Sequence, residues 1–131
     1  MSEGIGVVTD VGAEKIAVAL DGGIGLSELK SDVGIGNGGH DPNTGEVLEP
    51  DRGAIETPGE FMTKEAVSFS RTGAKYEVEV LLDHTDGAAS GEMVSSLGIY
   101  DTDNDLFLII NFAARPKDEY NTITMSWEIN F

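Results

Sequence analysis

Apolar and polar residues alternate over much of the chain, and a period of two predicts β-strands with one face in water. The clearest alternation lies in residues 122–131, where the apolar positions are Ile123, Met125, Trp127, Ile129 and Phe131. Residues 106–112 are apolar on both faces, so we expect this strand in the centre of a sheet. Strand-forming runs between turn residues predict four more strands, at 29–35, 62–70, 75–82 and 93–100.

A helical period occurs near the N-terminus and predicts one amphipathic helix over about residues 10–20. Thr9 or Asp10 supplies the N-cap oxygen, and Gly22 or Gly23 can take the left-handed conformation that ends a helix. We expect the apolar stripe of the helix to pack on the sheet. The stripe consists of Ala13, Ile16, Ala17 and Leu20.

The chain has 131 residues, which predicts a single domain over residues 1–131. The polar segment 36–60 contains three prolines, so we expect a long surface loop there and antiparallel strands over 61–131. The expected fold is mainly β with one N-terminal α-helix (α+β), as an antiparallel sheet or sandwich with long polar loops. The candidates for contact with another subunit lie in or near loops: Val47, Leu48, Ile55, Phe61 and Tyr120.

The chain is strongly acidic, with 24 Asp and Glu against 8 Lys and Arg and a formal charge of −16. This charge excludes nucleic-acid binding by a basic patch and disfavours an anionic membrane surface. The acidity has two interpretations: an acidic face that binds cations or a basic partner, or adaptation to high salt, where surface repulsion is screened. No cysteine is present, so thiolate metal sites and disulfides are excluded. We expect neither a signal peptide nor a membrane span.

The turn 101–105 carries a D-x-D-x-D pattern, which makes Asp101, Asp103 and Asp105 weak candidates for a cation site. The residues that follow do not continue a calcium loop, because Leu106 and Phe112 stand where such a loop has Gly and Glu. A tight β-turn explains the run equally well. The sequence offers no catalytic constellation and no cofactor motif in a suitable context, so we expect no enzyme activity, no cofactor and no metal.

Several short motifs, in order, resemble the attachment domain of phage tail-collar fibre proteins. TDVGAEKIA at 9–17 resembles the T-[ND]-x-G-x-x-K-I-A opening of that family, and VGIGNG at 33–38 resembles its V-G-x-G-x-G turn. LGIYD at 97–101, followed by a turn and a leucine, resembles its I-G-[IVL]-[FY]-D hairpin. Pro-Lys at 116–117 and the closing strand 123–131 complete the match. The turn here is Asp-Asn-Asp at 103–105, where the family usually has Asp-Gly.

The resemblance implies a structural protein of a tailed virus, made in the host cytoplasm and carried in the tail of the virion. It would be a distal tail or baseplate subunit that docks a fibre or a neighbouring baseplate protein. A homo-oligomer, as a trimer or higher ring, is expected, with loops 36–60 and 83–91 at the contacts. The acidity favours a virus of a salt-loving host. The alternatives are a capsid decoration or head–tail joining protein, and a non-viral acidic ligand-binding β domain.

Overall fold

A computed structural model describes residues 4–130 of the chain. Eight strands and one α-helix make up the regular structure of these residues. In chain order they are β1 (Gly4–Val8), α1 (Asp10–Leu20), β2 (Asp32–Gly36), β3 (Glu60–Glu65), β4 (Ser68–Thr72), β5 (Lys75–Leu82), β6 (Met93–Tyr100), β7 (Leu106–Pro116) and β8 (Ile123–Asn130), with a short 3₁₀ turn at Gly87–Ala89 between β5 and β6.

The strands form two antiparallel sheets that share one core. The larger sheet has the order β1-β7-β6-β2-β3 and the smaller has the order β4-β5-β8. Buried side chains from the two sheets form one apolar cluster, in which the Phe112 and Trp127 rings lie 4.7 Å apart. The expected mainly β, antiparallel fold with one helix is therefore confirmed, and β7 is central as predicted.

The composition of segment 62–70 predicts one strand, but the structure divides it between two strands. The chain leaves the larger sheet after β3 and enters the smaller sheet at β4, with Ala66 and Val67 between them. The Ala66 N–H donates to the Ser31 carbonyl at 2.8 Å, and the Val67 N–H donates to the Glu79 carbonyl at 2.8 Å. This crossing closes one side of the sandwich. Periodicity missed it because both halves have strand-forming residues.

The remaining predicted strands agree with the structure to different extents in their bounds. The bounds of β5 and β6 agree with 75–82 and 93–100, and β7 runs four residues beyond the predicted end at 112. The strand predicted at 29–35 is wrong at its start, because Leu29 makes only an isolated bridge to Asp101 and β2 begins at Asp32. β1 was not predicted, since its glycines hide the alternation. Phe131, the last residue of the predicted closing strand, lies outside the described residues.

The helix begins and ends where the sequence predicts. Thr9 is the N-cap: its Oγ1 accepts the Gly12 N–H at 3.1 Å and donates to the Leu106 carbonyl at 2.6 Å. After the helix, Gly22 has a φ of +80°, which favours glycine. The cap thus holds the helix start against β7 and satisfies one of its free N–H groups.

Only one residue of the predicted apolar stripe, Ile16, packs against the core. Leu20 is 84% exposed, Ala13 and Ala17 are exposed, and Gly12 is the buried residue of the helix. A Cβ atom at Gly12 would lie 2.9 Å from the Phe107 carbonyl oxygen. The helix packs against β7 at Gly12, which has no side chain. In this orientation, part of the predicted stripe faces water.

The loop 37–59 lies against the outer face of the larger sheet. Gly34 and Gly98 are directly opposite each other in β2 and β6, and a Cβ atom at either one would overlap the Thr57 hydroxyl. The Gly39 N–H donates to Ser95 Oγ at 2.9 Å, and the Leu48 N–H donates to the Gly39 carbonyl at 3.0 Å. These contacts order the loop within its own chain, so its order does not require a neighbouring subunit.

Candidate functional site

The three aspartates of the D-x-D-x-D turn form ion pairs with a lysine of the same chain. The Lys15 ammonium on α1 lies 2.6 Å from Asp101, 2.7 Å from Asp105 and 3.3 Å from Asp103. Asp101 is 1% exposed, and its second carboxylate oxygen accepts the N–H groups of Asp103 at 3.0 Å and Asp105 at 3.1 Å. Asn104 has a φ of +65°, as the predicted tight turn requires. Within residues 4–130, no three His, Cys, Asp or Glu side chains are arranged for a metal ion.

The ionisation of this cluster follows from its contacts. The hydrogen bond to Asp101 raises the pKa of Lys15 well above its usual range, and the bond to Asp105 adds to this. The Ser27 hydroxyl, which donates to Asp103 at 2.6 Å, lowers the pKa of that carboxyl, and Lys15 lowers it further. Since the pKa of Lys15 is raised by folding, its stabilising contribution is complete below about pH 10 and is lost only as pH rises through the raised value.

Residues from the first three segments of the family resemblance lie around α1 and the outer face of the larger sheet, whereas the closing strand is β8 of the smaller sheet. Thr9 and Lys15 join the helix to β7 and to the aspartate turn. The Tyr100 hydroxyl accepts the Thr57 N–H at 3.0 Å and donates to Glu60 Oε1 at 2.8 Å, and burial raises the pKa of Tyr100. Within this chain, the motif residues hold the helix and the loop 37–59 on the sheet.

An apolar surface lies at the C-terminal end of α1 and on the segment that follows. We call it the α1 patch, and its exposed members are Val18, Leu20, Ile24 and Leu26. An open groove of about 370 Å³ separates the helix from residues 24–27, with walls that include Val11, Val18 and Ile24. A second groove of about 380 Å³ lies beside the same segment and is lined by Ile16, Leu26, Ser27, Glu28, Leu29, Tyr76 and Phe107.

The sequence interpretation missed the α1 patch because it placed Leu20 inside the protein. The available signal was that Ile24 and Leu26 belong to no predicted strand or helix stripe. Apolar residues without an assigned element are candidates for contact with another molecule. Ile24, which is 85% exposed, is the strongest example.

The five predicted contact residues do not form one patch. Ile55 and Tyr120 are strongly exposed, and Leu48 is exposed to a smaller extent. Val47 is half-buried and forms a bridge with His40, while Phe61 is half-buried and packs against the main core. Ile55 and Tyr120 are therefore the two of the five with the most surface free for a partner.

The surface charge is far from balanced. Lys64 lies 2.7 Å from Asp86, and Lys75 lies 3.2 Å from Glu77, so cations are used in pairs within the chain. Eight Lys and Arg side chains are too few to pair with 24 acidic side chains, and three of those acids share Lys15. Most carboxylates therefore repel one another through water, a repulsion that salt screens.

Stability is expected to fall as salt is withdrawn. Lowering the salt concentration from molar to about 10 mM lengthens the range of surface repulsion from about 3 Å to about 30 Å. Thermal melts followed by circular dichroism across this range measure the effect. A melting temperature that is unchanged or higher in the dilute buffer would contradict adaptation to high salt.

No helix in the described part of the chain is long and apolar enough to cross a membrane. Comparisons with protein-family models, with curated proteins and with solved structures find no match to this chain.

Proposed function

We propose that the chain is a structural protein of a tailed virus, placed at the distal tail or baseplate, where it docks a fibre or a neighbouring subunit. The observation that carries this proposal is the α1 patch. Four large apolar side chains are exposed within residues 18–26 of a chain with a charge of −16. The core does not use these side chains, and exposed apolar patches of this kind mark protein contacts.

The ordered motifs support the tail location within that class of function. They resemble tail-collar fibre proteins over most of the chain, and in this fold they anchor the helix that presents the α1 patch. The charge supports a virus of a salt-loving host. We further propose a trimer or higher ring, because homo-oligomers usually have closed cyclic symmetry.

The test is the position of the chain in the purified virus particle, visualised by electron microscopy with a specific antibody. Label in repeated copies at the distal tail is the expected result. Label on the head would indicate a capsid decoration or head–tail joining protein, and a particle without the chain would indicate a non-viral acidic β domain. Either of these outcomes contradicts the proposal.

The role of the α1 patch is tested by a double variant, Val18→Ser with Ile24→Ser, introduced into the virus. We expect it to fold but to be lost from purified tails, as measured by mass spectrometry of the particles. Val67→Ser is the matched control, because Val67 is also exposed but lies between β3 and β4, away from the patch. Normal incorporation of the double variant would show that the patch does not dock the chain.

A further inference from the structure

The two sides of the sandwich are closed differently. On one side the chain itself crosses between the sheets, through Ala66 and Val67. On the other side β1 ends the larger sheet and β8 ends the smaller one, and an open cleft of about 340 Å³ lies between them. The cleft is lined by Gly6, Val7, Val8, Leu108, Ile110, Trp127, Glu128, Ile129 and Asn130.

The cleft wall contains a buried donor with no acceptor. Trp127 is 6% exposed, its ring packs against Phe112, and its Nε1 has no hydrogen-bond partner among residues 4–130. A buried N–H without an acceptor is unfavourable, so the indole is a point of weakness in this wall. Because the ring lines the cleft, an occupant would change its surroundings.

The backbone on either side of Trp127 has polar groups that the pairing with β5 does not use. Arg115 donates to the Thr124 carbonyl at 2.9 Å, so the backbone groups of Thr124 point away from β5. Because strand residues alternate in direction, the N–H and C=O groups of Ser126 and Glu128 point to the same free edge. The pairing of β5 with β8 is continuous over all eight residues of each strand, and β8 contains neither proline nor lysine. The edge thus lacks the proline, lysine and bulge that often prevent strand addition.

The charged side chains near the cleft indicate which charge a ligand would carry. Lys75 lies 3.2 Å from Glu77 and 3.7 Å from Glu128, so two carboxylates beside the edge share one ammonium. A cationic side chain on the occupant would complete a second pair. A second copy of this chain, which carries −16, fits this edge poorly.

We propose that the cleft binds an extended segment of a partner protein, which adds to β8 as a fourth strand of the smaller sheet. The segment alternates apolar residues, which cover Leu108 and Ile110, with Lys or Arg, one of which lies opposite Glu128. This is strand addition to a sheet edge: backbone hydrogen bonds hold the segment, and side chains select it. The site is separate from the α1 patch, and the inference does not depend on a place in a viral tail.

The probe is a synthetic seven-residue peptide of alternating Val and Lys, capped at both ends. Trp127 is the single tryptophan of the chain and lines the cleft, so its fluorescence and its indole N–H NMR signal report occupancy directly. We expect a saturable change in emission and a shift of the indole N–H signal as the surroundings of the ring change. The same peptide with N-methyl groups on alternate residues keeps its charge but loses donors, and we expect binding about tenfold weaker.

The matched variants are Glu128→Pro and Glu128→Gln. The Pro variant removes an N–H that points away from β5, so the β5–β8 pairing is kept while peptide affinity falls about tenfold. The Gln variant keeps the backbone and loses affinity only at low salt.

Equal binding of the plain and N-methylated peptides to the wild-type chain would overturn the proposal, even if the Pro variant fails to fold. Self-association of the peptide-free chain that Glu128→Pro abolishes would instead identify a second copy as the occupant, and would also overturn it.

Discussion

Replacing Asp101 by alanine is expected to lower the free energy of unfolding by about 2–4 kcal/mol, mainly because two backbone N–H groups lose their buried acceptor. Asp101 is 1% exposed and accepts from three donors: the Lys15 ammonium on α1 and two backbone N–H groups of the turn before β7. The variant leaves all three without this acceptor. Chemical denaturation of the wild type and the variant measures the difference.

Asp103→Ala is the control for this prediction. Asp103 contacts the same ammonium at 3.3 Å, but its side chain is 59% exposed and water can replace it. We expect a loss of less than about 1 kcal/mol, as for surface ion pairs. If the two variants lose equal stability, the cluster is a surface network and Asp101 does not anchor the helix.

The strands were the predictable part of the fold because each half-buried strand carries its own period. β5 and most of β8 agree with alternation that can be read from a few residues, and β6 agrees with a strand-forming run between turns. β1 was missed because Gly4 and Gly6 contribute no side chains to the pattern. The crossing between β3 and β4 was missed because it depends on which sheet each half joins, and that choice is made by distant strands.

The helix was predicted in position but not in orientation. Its cap and its glycine end are local signals, and they were correct. Its buried face is decided by the close approach of Gly12 to Phe107, and hydrophobic periodicity assigns no weight to glycine. The α1 patch was overlooked for the same reason, since Leu20 was expected inside.

The aspartate turn was recognised from the sequence, but its partner was not. The D-x-D-x-D spacing and the tolerance of Asn104 for positive φ are local properties. Lys15 is 86 residues from Asp101 in the chain, so only the packing of α1 beside the turn brings them together. The free indole N–H of Trp127 is likewise invisible in the sequence, because alternation shows that the residue is buried but not whether its N–H finds an acceptor.

Gly98→Ala is expected to destabilise the protein by about 3 kcal/mol, at the upper end of the usual cost of overpacking. Gly98 lies in the middle of β6, opposite Gly34, and an added methyl would overlap the Thr57 hydroxyl. Thr57 is fully buried, and its N–H is held by the Tyr100 hydroxyl at 3.0 Å, so it cannot simply turn away. The variant must lift the loop 37–59 from the sheet or distort β6. Thermal and denaturant unfolding measure the loss.

Gly25→Ala is the matched control for Gly98→Ala. A Cβ atom at Gly25 meets nothing within 4 Å, and its backbone is not in the left-handed region, so the change is expected to stay within about 0.5 kcal/mol. Amide hydrogen exchange distinguishes how Gly98→Ala acts: protection should fall first at Thr57 and Glu60, whose N–H groups donate to Tyr100 and Thr57. If Gly98→Ala is as stable as the Gly25→Ala control, Thr57 does not clamp the loop on the paired glycines, and the order of residues 37–59 must come from the contacts around Gly39 and Leu48.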